Sequence, residues 1–260
     1  TFNNASGAYS IHFDGGTGNV IFKNCKLYGW NSFAGTLNSV SFENCTLDGN
    51  GIYALIRSYA NLTLTNCVIN TSNANHNDSW PEGIEIIAPA TLTENNVTYV
   101  VENQTALADA LAAGKTNVTL TAGNYELYGL NFVANNVTLK GADKANVVLN
   151  LEKSIYLQNK SVTLENLTYN LNAGKGYTEH EFAFVHHATA FNLKNCNVNR
   201  LRLNVYEANI EDCTFTLNTS SGFDGYCIYY YGNDNSTVNV KNSTFATAGK
   251  GICIYSEHAK

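Results

Sequence analysis

The chain has no methionine, two prolines and three arginines in 260 residues, and only 14% of it is charged. Arg57, Arg200 and Arg202 form no basic cluster and the net charge is −6, which argues against nucleic acid as a partner. No apolar run approaches the ~20 residues that a membrane-crossing helix needs, so no membrane span is expected. There is no signal peptide, and no Met even at position 1. A piece excised from a longer, exported protein is therefore expected. What abounds instead is Asn, Thr, Ser and sixteen Tyr, a polar but uncharged surface of the kind common in secreted proteins.

One short phrase organises the chain. In Val40-Ser41-Phe42-Glu43-Asn44-Cys45-Thr46-Leu47, apolar and polar residues alternate, Asn interrupts, and the alternation resumes. Period-2 alternation predicts two half-buried strands joined by a corner. Asn suits the corner because its short amide tolerates the left-handed backbone conformation and can hydrogen-bond locally. The phrase recurs at Val20 to Leu27, Leu62 to Ile69, Val162 to Tyr169, Phe191 to Val198, Ala208 to Phe215 and Val238 to Phe245. A phrase repeated every ~20 to 30 residues is one coil of a β-solenoid, in which like residues stack into ladders.

These coils resemble the right-handed parallel β-helix proteins, the pectin-lyase-like group, over most of the chain. The fold expected is all-β: a right-handed parallel β-helix in two segments with one short capping α-helix. The helix is expected at about 105–113, with Thr105 as N-cap, Leu107, Ala110 and Leu111 at helical spacing, and Gly114 as the stop. In the resembled family such a helix caps a new solenoid, which shields strand edges and core from water. It divides the chain into 1–99, the C-terminal part of a first repeat, and 100–260, a second repeat truncated at its end. Phe22-Lys-Asn-Cys25 matches Leu193-Lys-Asn-Cys196, and Gly83-Ile-Glu-Ile86 matches Gly251-Ile-Cys-Ile254. The chain thus reads as a window on a tandem array, with neighbouring repeats of the parent chain as partners.

Cys25, Cys45, Cys67, Cys196 and Cys213 follow the corner residue and share the parity of the inward residue two places on, which predicts a ladder of buried thiols. Their spacing is that of coils, so no metal site is expected. The Asn-x-Ser/Thr triplets, such as Asn96-Val97-Thr98, arise automatically where a corner Asn precedes a strand with an outward Thr.

Enzymes of the resembled fold work in a groove on the outer face of one parallel sheet. They use paired carboxylates for hydrolysis, or Lys or Arg as the base of a lyase. On the Gly-led strands the outward residues are expected to be His12, Tyr53 and Glu85, then Ala183, Cys227, Tyr229, Cys253 and Tyr255. That row has one carboxylate and no Lys or Arg, so no catalytic residue and no cofactor is expected. Glu179-His180-Glu181 with His186-His187 could form a metal or acid/base site, although adjacent histidines face opposite ways on a regular strand. The alternative to such a site is a set of solvent-facing loop and strand-end residues.

Aromatic residues are the stronger lead. Tyr229, Tyr231, Tyr255, Asp224 and Trp80 are the candidate ligand-contacting residues: rings cover sugar C–H surface while neighbouring carboxylates and amides bond hydroxyls. Tyr is also an ordinary outward strand residue. Cys227 and Cys253 would be close enough to pair if their coils are adjacent, or would stay free thiols. The expected function is a non-catalytic module of a secreted or surface-anchored bacterial protein, a stalk or an adhesin-like surface for neutral or weakly charged glycans. A polysaccharide lyase or glycoside hydrolase is the alternative.

Overall fold

A computed structural model describes residues 1–3, 9–49, 54–71, 83–171, 183–217, 225–232, 235–246 and 250–256, with backbone alone for residues 2, 3 and 253–256. Among these residues every strand-to-strand pairing is parallel, apart from one isolated antiparallel bridge, Gln158 to Ala188. There is one helix, Gln104–Ala112. The architecture is all-β with stacked parallel sheets, consistent with a β-solenoid. The chain divides into two compact units, residues 1–110 and 111–260.

In the first unit each coil contributes one strand to each of three sheets. The strands before the corner are Thr17–Lys23, Thr36–Glu43, Asn61–Thr65 and Leu92–Asn95. Those after it are Lys26–Tyr28, Thr46–Asp48, Val68–Asn70 and Thr98–Val101, with Phe2–Asn3 beside the first of them. Tyr9–Phe13, Trp30–Phe33, Ile56–Ser58 and Ile84–Ile86 form the third, return sheet. Register joins equivalent residues of successive coils: Phe22 to Phe42 to Leu64, and Leu27 to Leu47 to Ile69. Inward residues therefore stack on their own kind. Phe22 and Phe42 are parallel at 4.8 Å between ring centroids, the spacing of neighbouring strands.

The second unit repeats the plan. Asn136–Gly141, Ser161–Glu165, Ala190–Lys194, Glu207–Glu211 and Thr237–Lys241 precede the corners. Val147–Leu151, Thr168–Leu171, Asn197–Val198, Thr214–Phe215 and Thr244–Phe245 follow them. The return sheet is Ile155–Tyr156, Val185–His186, Leu201–Asn204, Tyr226–Gly232 and Lys250–Ser256. Asn117–Leu120 and Gly123–Glu126 open the unit. The latter pairs with Val147–Leu151.

The corners behave as the phrase requires. Asn24, Asn44, Asn66, Asn96, Asn166, Asn195, Asp212 and Asn242 all have φ between 51° and 56°, the left-handed region that Asn tolerates better than most residues. Amides of six of these residues bond from coil to coil rather than locally. Asn44 donates to Asn24, Asn66 to Asn44 and Asn96 to Asn66, at 3.3, 3.3 and 2.9 Å. Asn195 donates to Asn166 at 3.0 Å, and Asn166 to the Gly141 carbonyl at 2.8 Å. Gly141 occupies that column because a Cβ there would lie 2.3 Å from the Asn166 carbonyl oxygen.

The cysteine column is buried where coils cover both sides. Cys45, Cys67, Cys196 and Cys213 are at most 1% exposed, whereas Cys25 is only half-buried. A second column carries alternating charge: Lys140, Glu165, Lys194, Glu211 and Lys241 are successive register partners. Its outer pairs close at 2.9 Å (Lys140–Glu165) and 3.0 Å (Lys241–Glu211). Opposite charges on facing strands favour this register.

The helix begins one residue before its expected start, and its cap is not Thr105. The Asn103 side-chain oxygen accepts from the Ala106 N–H at 2.9 Å, so Asn103 is the N-cap. At the other end Gly114 has φ +76° and donates to the Leu111 carbonyl at 3.1 Å, the expected stop. The Leu111 carbonyl also accepts from the Val133 N–H at 3.3 Å.

Candidate functional site

The outer faces of the two return sheets carry the side chains with the most chemistry. In the second unit, Ile155, Val185, Leu203 and Tyr230 are successive register partners and all buried. The residues one place along, Tyr156, His186 and Asn204, point the other way by alternation. Tyr156 is 70% exposed, and its ring lies parallel to that of His186, with centroids 4.7 Å apart and planes 11° apart. The Phe184 and His186 rings are 5.4 Å apart, and the Phe184 ring meets the Tyr229 ring edge-on at 6.1 Å. The result is a row of aromatic side chains across the sheet, open at the Tyr156 end and closed at the Tyr229 end.

This corrects the expectation for Tyr229. Its parity is as expected, next to Arg202 in register, but it is only 7% exposed and Arg202 only 1%. Tyr229 therefore does not offer an open ring face. Tyr231, two residues on, is half-buried. Cys227, expected on an open outer face, is fully buried, and Ala183 has the parity of the inward Val185 and is buried too. Tyr230 is an inward residue whose hydroxyl donates to the Val205 carbonyl at 2.8 Å, and burial holds that hydroxyl above the ordinary tyrosine range. Asp224, Trp80, Tyr53, Glu179, His180 and Glu181 lie outside the described residues, as do the side chains of Tyr255 and Cys253.

The adjacent histidines do come together. His187 leaves the strand in the left-handed conformation, φ 60°, which breaks the alternation that would have separated them. Its ring lies 5.7 Å from that of His186 and 5.9 Å from that of Tyr156. Among the described residues no group of three or more His, Cys, Asp or Glu is placed to hold a metal ion.

The first unit has a counterpart. Phe13 and Phe33 are register partners, Phe33 fully buried and Phe13 packed against the same core, so His12 and Ser32 have the outward parity, although Ser32 is only 4% exposed. Arg57 and Glu85 continue that row. The row therefore does contain an arginine, contrary to expectation, because Ile56–Ser58 supplies the strand of the third coil and no glycine leads it. Arg57 and Glu85 form an ion pair at 3.1 Å, and His12 Nε2 lies 3.5 Å from the Asp14 carboxylate. Beside them Tyr9 and Trp30 stack at 4.0 Å between centroids with planes 22° apart, and the His12 ring meets Tyr9 edge-on at 3.9 Å. Tyr59 is 44% exposed, with the Arg57 guanidinium 5.4 Å from its ring centre.

No family model matches this chain, and no curated protein and no solved structure is significantly similar to it. Stacked, partly exposed rings bordered by histidine, carboxylate and amide groups can cover an apolar ligand face while bonding its polar rim.

Proposed function

We propose that the chain is a non-catalytic module of a right-handed parallel β-helix of the pectin-lyase-like kind, from a secreted or surface-anchored bacterial protein. In this reading neighbouring repeats of the parent chain extend it as a stalk, and its return-sheet faces contact neutral or weakly charged glycans. The observation that carries the glycan reading is Tyr156, 70% exposed yet held parallel to His186. A large exposed ring fixed by a neighbour loses little conformational freedom on binding and offers a flat surface to pyranose C–H groups. Net charge −6 disfavours strongly anionic polysaccharides at long range.

The test is a glycan array with the whole chain, then calorimetry and product analysis on each hit. Neutral glycans should bind, Tyr156→Ala should weaken them by about tenfold or more, and the recovered glycan should be intact. Shortened or unsaturated products would instead favour a lyase or hydrolase. The Arg57–Glu85 pair gives that second reading its one specific support.

A further inference from the structure

Resting on the glycan reading, we infer that the first unit carries a separate saccharide site, on the outer face of its return sheet, selective for neutral hexopyranose units. Tyr9 and Trp30 supply a two-ring platform; Tyr9 is 38% exposed and Trp30 half-buried. The platform is braced from the side by the edge-on His12 ring. Rings held this way present a preformed surface, so little ordering is left for the ligand to impose.

The border of the platform sets the ligand class. Asp14 and Glu85 offer carboxylate oxygens that accept from hydroxyls, and Arg57 offers donors. The side chains of Asp14, Arg57 and Glu85 are 88%, 37% and 25% exposed, so each reaches solvent. The Arg57 charge is already balanced by Glu85 at 3.1 Å, and Asp14 stands beside His12 at 3.5 Å. Among the described border residues the one arginine is thus already balanced, while the exposed Asp14 carboxylate would repel a uronic acid. Hydroxyl-rich neutral sugars meet both the platform and the border without burying an unpaired charge.

The sequence offers a direct probe, since it holds only two tryptophans, Trp30 and Trp80. In a Trp80→Phe chain the emission reports Trp30 alone. Cello-, malto- and mannohexaose are titrated, with hexagalacturonate as the charged control. The expected result is a saturable change in Trp30 emission with at least one neutral hexasaccharide and none with hexagalacturonate. Tyr9→Ala and Glu85→Gln should each weaken that change by about tenfold. Tyr156→Ala should leave it intact while removing a separate calorimetric step.

Silent Trp30 emission alongside binding that Tyr156→Ala abolishes would overturn the first-unit site and leave the second-unit reading standing. A Trp30 response with no binding sensitive to Tyr156→Ala would support the first-unit site and remove the other. An equal response to hexagalacturonate would overturn the selectivity argument, and no saccharide binding at all would overturn both sites.

Discussion

Asn96 donates its side-chain amide to the side-chain oxygen of Asn66, 2.9 Å away on the preceding coil. Asn44, Asn66, Asn96, Asn166 and Asn195 thus each do two things: they adopt a backbone conformation that few residues tolerate, and they tie their coil to the one before. The coils so joined differ in length, with steps of 20, 22 and 30 residues between corners in the first unit. The ladder holds this corner in register although the steps differ.

Substitution separates the two roles. Asn66→Gly keeps the left-handed corner and loses the amide bonds, so it should cost about 1–2 kcal/mol. Asn66→Ala also strains the backbone, which adds about 1 kcal/mol. Urea denaturation of both variants checks the order. Equal losses would show that the ladder, not the φ of 52°, dominates.

The alternating charges predict a salt-dependent defect. Glu165→Lys would leave three lysines side by side on neighbouring strands, with Lys140 and Lys194 as its register partners. The unfolding midpoint should drop at low ionic strength and recover substantially in 1 M salt, where screening acts over only about 3 Å. The Lys140–Glu165 pair reaches solvent, its side chains 51% and 29% exposed, so Glu165→Gln should cost no more than about 1 kcal/mol.

At the helix, Asn103→Ala removes the side-chain acceptor of the Ala106 N–H and should cost about 1 kcal/mol. Thr105→Ala, at the second helical position, should be close to neutral. Thermal unfolding of the two variants distinguishes the cap from its neighbour. The sequence alone favoured Thr105 because either residue can cap, and only the structure shows which side chain turns back.

Much of the architecture was legible because it is written in period-2 repeats. Eight corners adopt the φ that Asn and Asp suggest, seven of them in the phrases read from sequence. The eighth, Asn96, was met only within an Asn-x-Thr triplet, because Glu94 stands at the position that Phe42 and Leu64 fill on the two preceding coils and breaks the alternation. The return sheets were harder to place. Their strands lack a fixed opening residue, so Arg57 and Arg202 went unplaced until register set them beside Glu85 and Tyr229. Parity also says which way a side chain points but not what lies over it, which is why Tyr229 was expected to be open and is not. The pairing of Tyr156 with His186 joins residues 30 apart across a coil of irregular length, and nothing local to either announces it.

The cysteine column yields the last prediction. Burial holds the Cys45 and Cys67 thiols above their ordinary range, so the folded state favours the protonated form more than the unfolded chain does. The sign follows: this contribution is complete below the unfolded-state thiol pKa, about 8.5, and is lost as pH rises from there toward the raised folded values. Stability should therefore decline above about pH 8.5, and a Cys45→Ala, Cys67→Ala double variant should decline less steeply over the same range. Thiol labelling of the native protein near pH 8 should be slow at Cys45, Cys67, Cys196 and Cys213, which are at most 1% exposed, and fast at half-buried Cys25. Cys45→Asp should cost about 3–5 kcal/mol, because the column offers a buried charge no partner. Rapid modification of Cys45 and Cys67 in the folded chain, or a Cys45→Asp variant as stable as wild type, would show that the column is open to water.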